Sequence, residues 1–464
     1  MPRHHTNKDF TLVSSAGSAI AGTALRCDRR RHAHRASLSL IVPDSGIDLH
    51  RAAVSRSAMS DTSHLRELRL LLEELCCDLS RFEHVSRDGL APEHVQIDRE
   101  VAVGQPGAFA DIRVRPRGGE TYFVEVKYGY SDEAILHSLR RKYGQPCDVT
   151  RRAKRVVLLL DRIGRADWDG LVRAADAVIG DGLKLDVWDE ARLAEALRAH
   201  FDVELGEVVA ERLVDVRQAI DRSKGFRAFG GESQESYEHD ALKSQLLWHF
   251  GFWRLRQMRE SRHLAVRDIV APGLYRDVVV VLGDMCSFSS FVRDTPNGEI
   301  IRESLTAFYS KARYQIINNG GMLYQFVGDE AIGIFGLPDH APGYIEAAYE
   351  TARALCSIGR SVANEWQRQI DREQSPVGLH VGVALGDLHL LPLRPFSRTH
   401  IGFIGDCINV AARLMSSATA DEVVVSNGFY QRLPEAARAD FHCQEPIEAK
   451  NVGRIKSWKA TAAG

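Results

Sequence analysis

Two carboxylates, an amide and a guanidinium in the second half of this 464-residue chain have the types and spacing for chemistry on a phosphate. An apolar run from Asp277 to Gly283 reads as a buried strand and ends on a carboxylate, Asp284. The stretch Gly320 to Gly336 holds two further apolar runs on either side of Gly328-Asp329, the pattern of a tight β-hairpin with an Asp at its tip. An Asp in that place is ordinarily a turn residue. A second strand-end carboxylate changes the reading, because paired Asp side chains offer the hard oxygen ligands that Mg²⁺ or Mn²⁺ prefers. Downstream, Asn409-x-x-x-Arg413 sets an amide and a planar multi-donor cation one turn apart on one helix face.

The elements that must carry these residues are legible around them. From Arg276 to about Ala463 the pattern predicts strand Asp277–Gly283, helix Glu299–Asn318, the hairpin, and helix Tyr344–Gln369. Strands Val377–Ala384 and Leu388–Leu391, helix Asp406–Leu414, and short strands near Val423–Val425 and Ile455–Trp458 follow. Hairpins mixed with crossover helices predict an α+β domain with an antiparallel-rich sheet.

Composition bounds the rest. Charged residues are 26% with a net formal charge of −2, so no bulk bias toward nucleic acid or membrane exists. Eight cysteines without C-x-x-C or zinc spacing suit a reducing cytoplasm, where the chain is expected. No stretch reaches the roughly 18 apolar residues a membrane span needs. Residues 1–58 carry nine basic against four acidic side chains, a local charge of +5, and read as a disordered tail or as sequence before a true start at Met59.

The motifs, taken in order, resemble those of class III nucleotidyl cyclases. Val278 to Ser289 resembles their first metal motif and Gly320 to Gly336 their second. Ile404 to Leu414 resembles their transition-state helix, and Ile447 to Gly453 completes the set. The resemblance implies that residues 271–464 form a cyclase catalytic domain with two divalent ions, Mn²⁺ or Mg²⁺, held by Asp284, Met285 and Asp329. The turn from Met285 to Phe288 would offer main-chain N–H groups to the triphosphate. Asn409 would orient the ribose, Arg413 would meet charge at the α-phosphate, and Lys450 would hold the terminal phosphates. Sites in this family lie between two subunits, so the resemblance implies a homodimer.

Purine-specific members carry a Lys four residues before the second metal Asp and a polar residue seven before the helix Asn. Those positions are Gln325 and Gly402 here. A Gln amide pairs with the O4 and N3–H of uracil or, flipped, with the N4 and N3 of cytosine, which leaves UTP and CTP open. Tyr324 and Phe326 flank Gln325, and strict strand alternation would turn both to the opposite face. The lost purine pair, the hairpin Leu-Tyr-Gln-Phe-Val-Gly-Asp-Glu and the appended N-terminal module resemble the pyrimidine cyclases of bacterial Pycsar anti-phage systems. That resemblance implies cyclic UMP made from UTP in response to a phage-derived trigger, acting on a separate effector.

Residues 59–204 predict a helix (His64–Leu79), strands Val95–Val103, Ala110–Val114 and Thr121–Val126, then strand, helix and strand to Trp188. Asp111 followed by Glu125-Val126-Lys127 resembles the PD-(D/E)xK nuclease family, with Glu73 or Glu74 as a further ligand from the helix. A domain that binds a trigger without cutting it is the favoured form of that reading. Residues 205–270 predict a helical connector broken at Gly225–Gly231, whose aromatic residues must pack on the next domain or on a second subunit. Two other functions stay open: an adenylate or guanylate cyclase with an atypical base pocket, and a nuclease-like protein whose C-terminal domain senses nucleotide.

Overall fold

The computed structural model describes residues 48–180, 182–229, 237–262, 264–393, 400–449 and 453–462. Lys450 and the first 47 residues of the expected tail lie outside them. The chain divides into two units, Met1–Ser55 and Arg56–Gly464; in the first, only the start of α1 (Asp48–Arg87) is described.

Beyond α1, whose Leu68, Leu72, Leu75 and Leu79 are buried, the N-terminal module runs β1 (Val95–Ala102), β2 (Phe109–Pro116), β3 (Thr121–Val126), α2 (Asp132–Tyr143), β4 (Ala153–Leu159), α3 (Trp168–Val178), β5 (Lys184–Trp188) and α4 (Glu190–Phe201). Its five strands lie in chain order, β1 to β3 antiparallel and β3 to β5 parallel. Helix α2 has no counterpart in the sequence reading. Its apolar stripe is Ile135, Leu136, Leu139 and Tyr143 amid charged residues, too short to stand out by period.

In the connector, α5 (Ala210–Phe229) runs through Gly225 to the end of the expected break's first five residues, and Gly230 and Gly231, the rest of it, lie outside the described residues. A further break, which the sequence reading did not foresee, falls at Gly251 inside α6 (Tyr237–Arg262), at φ 72°. A Cβ there would come within 2.8 Å of Ile317 Cδ1, so glycine is needed both for the positive φ and for the close approach. The aromatic residues of α6 pack on the preceding module as well as the following one. Phe252 and Trp253 close on Phe82 of α1 at 5.8 and 4.5 Å, and His249 Nδ1 lies 2.6 Å from the Leu323 carbonyl.

The C-terminal domain follows as β6 (Gly273–Met285), α7 (Phe288–Asp294), α8 (Gly298–Asn318), β7 (Met322–Val327), β8 (Glu330–Phe335), α9 (Tyr344–Ile370), β9 (Leu379–Leu393), β10 (His400–Ile404) and α10 (Asp406–Ser417). It ends with β11 (Glu422–Ser426), α11 (Asn427–Arg432), α12 (Glu435–Arg438), β12 (His442–Cys443), β13 (Ile447–Ala449), β14 (Gly453–Ile455) and β15 (Ser457–Thr461). The main sheet is ordered β12-β15-β11-β9-β6-β8-β7, with β10 on β9. The two strands expected between Val377 and Leu391 are one continuous β9.

Strand β6 is central, and Val278 to Leu282 are buried on both faces. Val279 and Val281 pack with α8 and α9; Val278, Val280 and Leu282 belong to the core on the α10 side. Gly382 lets α10 lie close on β9, since a Cβ there would sit 2.1 Å from the Ala411 carbonyl.

Charged side chains join the N-terminal module to α8 and α9. Lys311 pairs with Glu100 and lies 3.5 Å from Glu73. Glu73 also takes the guanidinium of the fully buried Arg99. Ser361 donates to Glu100 at 2.6 Å, and Gln315 accepts the Arg99 N–H at 3.2 Å. Glu74 accepts from Ser310, and Arg66 reaches Glu303 at 3.1 Å. Both glutamates suggested as nuclease ligands are therefore committed elsewhere, Glu73 to cations from α8 and β1 and Glu74 to Ser310 of α8 and Arg217 of α5. Lys311→Met should leave two buried carboxylates short of a cation and destabilise the protein by about 3–5 kcal/mol. Chemical denaturation checks this, and adding Glu100→Gln to the same chain should recover part of the loss.

Candidate active site

Pairing of β6 with β8 sets Asp284 opposite Glu330, one residue from the hairpin tip. Asp329 lies close to Asp284 and to the Met285 main chain. Partial burial and the Asp284 carboxylate push the Asp329 carboxyl up to about 7. Glu330 is raised too, by burial and by Asp284. Carboxylates held together against their own repulsion form a place for a divalent cation, so these residues fit one. Among the described residues, no group of three or more His, Cys, Asp or Glu is placed to hold a metal alone. Oxygens of a triphosphate would have to complete the shell, the usual situation for Mg²⁺.

His380, on β9 opposite Asp284, is a neighbour that the sequence reading missed. Its Nε2 lies 3.2 Å from Asp284 Oδ2 and its Nδ1 3.3 Å from Cys286 Sγ. It holds the Asp284 carboxylate in orientation. Only strand pairing reveals it, since 96 residues separate the two. Phe288 opens α7, and its ring turns into the core against Trp366, centroids 6.1 Å apart. Any contact of Phe288 with phosphate would thus be through its main chain.

A bulge in β7 falls beside Gln325, one of the positions expected to meet the base. Leu323 pairs with Gly333 and Gln325 with Ile332, so Tyr324 is an extra residue in β7. Ile332 belongs to the core on the α10 side, and its partner Gln325 faces the same way. Tyr324 packs on that side as well. Its ring meets Phe403 edge-on at 5.3 Å, and its hydroxyl accepts the Phe403 N–H at 3.4 Å, directly after Gly402. Phe326 points the other way and stacks on Tyr309 at 4.1 Å. Alternation holds for Phe326 but fails for Tyr324, because the bulge adds one residue.

Asn409 and Arg413 are exposed on α10, whose Cys407, Ala411 and Leu414 face the sheet. Among the described residues neither is joined to Asp284 or Asp329 by a hydrogen bond or ion pair. One chain brings Asp284, Met285 and Asp329 together, sets Tyr324 against β10 next to Gly402 with Gln325 on the same face of β7, and leaves Asn409 and Arg413 exposed.

Asp111, Glu125 and Lys127 also converge, across β2 and β3. Lys127 Nζ is 2.8 Å from Asp111 and 2.7 Å from Glu125. Two unforeseen residues of α2 join them. Lys142 Nζ is 3.1 Å from Asp111 and 2.5 Å from Glu125, and Tyr143 donates to Glu125 at 2.6 Å. The Val126 N–H donates to Asp111 at 2.8 Å. Burial opposes the charge on Asp111, but Lys127 and Lys142 hold its carboxyl well below the usual range. All four carboxylate oxygens already accept a donor from the chain. The set therefore does not fit a divalent ion.

Residues 270–461 match the family model of the adenylate and guanylate cyclase catalytic domain. An adenylate cyclase of Mycobacterium tuberculosis is 24% identical over 194 residues, 41% of this chain and 41% of that one. An uncharacterised protein of the same organism is 28% identical over 146 residues, 32% of this chain and 24% of its own length. The chain thus spans less than half the length of these relatives. Among solved structures, the guanylyl cyclase Cya2 is 19% identical with a TM-score of 0.37, covering 42% of this chain and 95% of that one. The adenylyl cyclase CyaB from P. aeruginosa gives 18% and 0.37, covering 42% and 97%. Residues 270–461 form an adenylate and guanylate cyclase-type catalytic domain.

Proposed function

We propose that the protein is a nucleotidyl cyclase that converts UTP to 3′,5′-cyclic UMP and diphosphate, at sites shared by two copies of the chain. The carrying observation is the cation-fitting pair Asp284–Asp329, combined with a base region from which the purine-reading groups are missing. Class III cyclases work with divalent metals, and here Asp284, Met285 and Asp329 would hold them. When bound, the ions would supply Lewis-acid activation of the ribose 3′ hydroxyl and neutralise the triphosphate.

The chain's own residues supply the rest. The Gln325 amide presents a donor and an acceptor to the Watson–Crick edge of uracil. Tyr324, turned by the bulge onto the Gln325 face, fills space beside Gly402 that a larger purine would need. Asn409 orients the ribose. Arg413 offers planar donors to the α-phosphate as charge builds there and diphosphate leaves. The outward aim of Asn409 and Arg413 supports a site completed by a partner's Asp284 and Asp329. Val327 and Ile404 are 53% and 57% exposed, which supports a covered surface beside the hairpin and α10. The wider role, a messenger released on phage infection for a separate effector, rests on the likeness to pyrimidine cyclases.

We assign the N-terminal module a PD-(D/E)xK-like fold that senses the trigger without cutting. The strand order, with Asp111 and Glu125-Val126-Lys127 on adjacent strands, supports the likeness. The saturated carboxylates argue against metal-dependent cleavage.

Purified protein given each of the four nucleoside triphosphates with Mn²⁺ should make cyclic UMP as its main product. Asp329→Ala should lower that rate by about 100-fold or more; cyclic AMP or GMP as main product overturns the pyrimidine assignment. Asp329→Ala and Arg413→Ala, each inactive alone, should regain about a quarter of wild-type activity when co-expressed, because half the dimers then carry one intact site. No recovery would place the site within one chain. With Mg²⁺ and linear or plasmid DNA, wild type should cleave no faster than Asp111→Ala, as read on a gel.

A further inference from the structure

A cavity of about 1040 Å³ lies away from the strand-end carboxylates, walled by α1, α5, α6 and α8. Its size is at the upper end for small-molecule sites. Seven basic side chains line it against three acidic ones. The acidic three are already engaged: Glu74 and Asp221 by Arg217, at 2.8 and 3.5 Å, and Asp78 by Lys224 at 2.5 Å.

Arg81, Arg222 and Arg313 line the same space with carbonyls as their partners. Arg81 donates to the Val95 carbonyl at 2.8 Å, is 3% exposed, and its Nε is buried without a hydrogen bond. Arg222 donates to Gln218 at 3.3 Å. Arg313 donates to the Leu247 and Trp248 carbonyls, both at 3.0 Å. Burial and the neighbouring Arg217 push Arg313 down to about 10, against the pull of Glu74, Asp221 and Asp78, none of which forms an ion pair with it. Its guanidinium lies 4.6 Å from the centroid of the half-exposed Trp248 ring, which also lines the cavity. Arginines without a carboxylate, next to an open aromatic face, are a recognition set for phosphate attached to a flat ring.

One wall residue reaches the strand-end site. Tyr309 lines the cavity from α8, stacks on Phe326, and donates its hydroxyl to the Gly328 carbonyl. Gly328 immediately precedes Asp329. On the opposite wall, α6 touches β7 through His249 and Leu323.

We propose that this cavity binds a nucleotide-sized phosphate ester, with phosphate on Arg81, Arg222 and Arg313 and the ring on Trp248, and that its occupancy is transmitted to the Asp329 hairpin through Tyr309. The binding half stands on the cavity alone; the transmission half rests on the cyclase function proposed above.

The test uses the full chain with EDTA, titrated with UMP, AMP and inorganic diphosphate, with uridine and adenosine as controls. UMP or AMP should quench tryptophan fluorescence, and the quench should be lost in Trp248→Phe. Calorimetry should show affinity at least about tenfold weaker in Arg313→Gln and in Arg222→Gln, the latter an exposed position with little risk to folding. The nucleosides should bind at least about tenfold more weakly than their monophosphates. No quench by either monophosphate, equal binding of nucleoside and nucleotide, or unchanged affinity in both arginine variants overturns the binding site. Diphosphate binding as tightly as UMP and AMP overturns the ring contact. With metal restored, the bound monophosphate should change the cyclase rate by about fivefold or more, and the change should shrink in Tyr309→Phe. Binding without a rate change overturns the transmission; absence of any cyclase activity instead counts against the proposed function and leaves the binding result standing.

Discussion

Asp284 and Asp329 repel each other, and the fold holds them together. An isolated pair of strand ends would splay or take up a proton. Here β6 cannot move, because Val278 to Leu282 are packed on both faces and the strand is laddered to β8 and β9. The hairpin of β7 and β8 then has one place for its tip. The apolar core thus supplies the work of holding two carboxylates together, and the raised Asp329 carboxyl is the electrostatic signature of that closeness. Gly382 serves the same end from the other side by seating α10 at backbone distance on β9.

Helix α8 is where the two halves of the molecule meet. One side packs into the sheet through Phe308, Ala312 and Ile316. Other positions face the N-terminal module through Lys311, Gln315 and Ser310. Tyr309 adds a hydrogen bond to the hairpin. A rigid element with partners in the N-terminal module, a charged cavity and the Gly328-Asp329 hairpin is suited to passing a displacement between them. Buried ion pairs such as Lys311–Glu100 add little net stability, but breaking one is costly, so they fix a single docking geometry.

The Asp111 cluster makes a complementary point. Residue types that match a nuclease motif do converge, yet α2 brings Lys142 and Tyr143 into the position where a metal would sit. A motif specifies which groups are present on adjacent strands. What occupies the space between them depends on an element outside the motif.

By itself the sequence determined the local order of the C-terminal domain. Long periodic segments such as α8 and α9, the apolar run of β6 and the hairpin around Gly328-Asp329 were legible because each follows from side-chain spacing within one segment. The strand-end carboxylates Asp284 and Asp329 and the one-turn spacing of Asn409 and Arg413 on α10 were legible for the same reason. Only the tertiary structure decided what depends on contacts between distant segments. His380 meets Asp284 through strand register, and Lys142 reaches Glu125 through a helix with a weak apolar stripe. Glu73 and Glu74 turn to α8 instead of Asp111 because Lys311, Arg99 and Ser310 face them. A single bulged residue put Tyr324 on the Gln325 face, where period alone assigned it to the opposite one. The additional break at Gly251 goes with the close approach of Ile317, 66 residues along the chain, which no local pattern encodes.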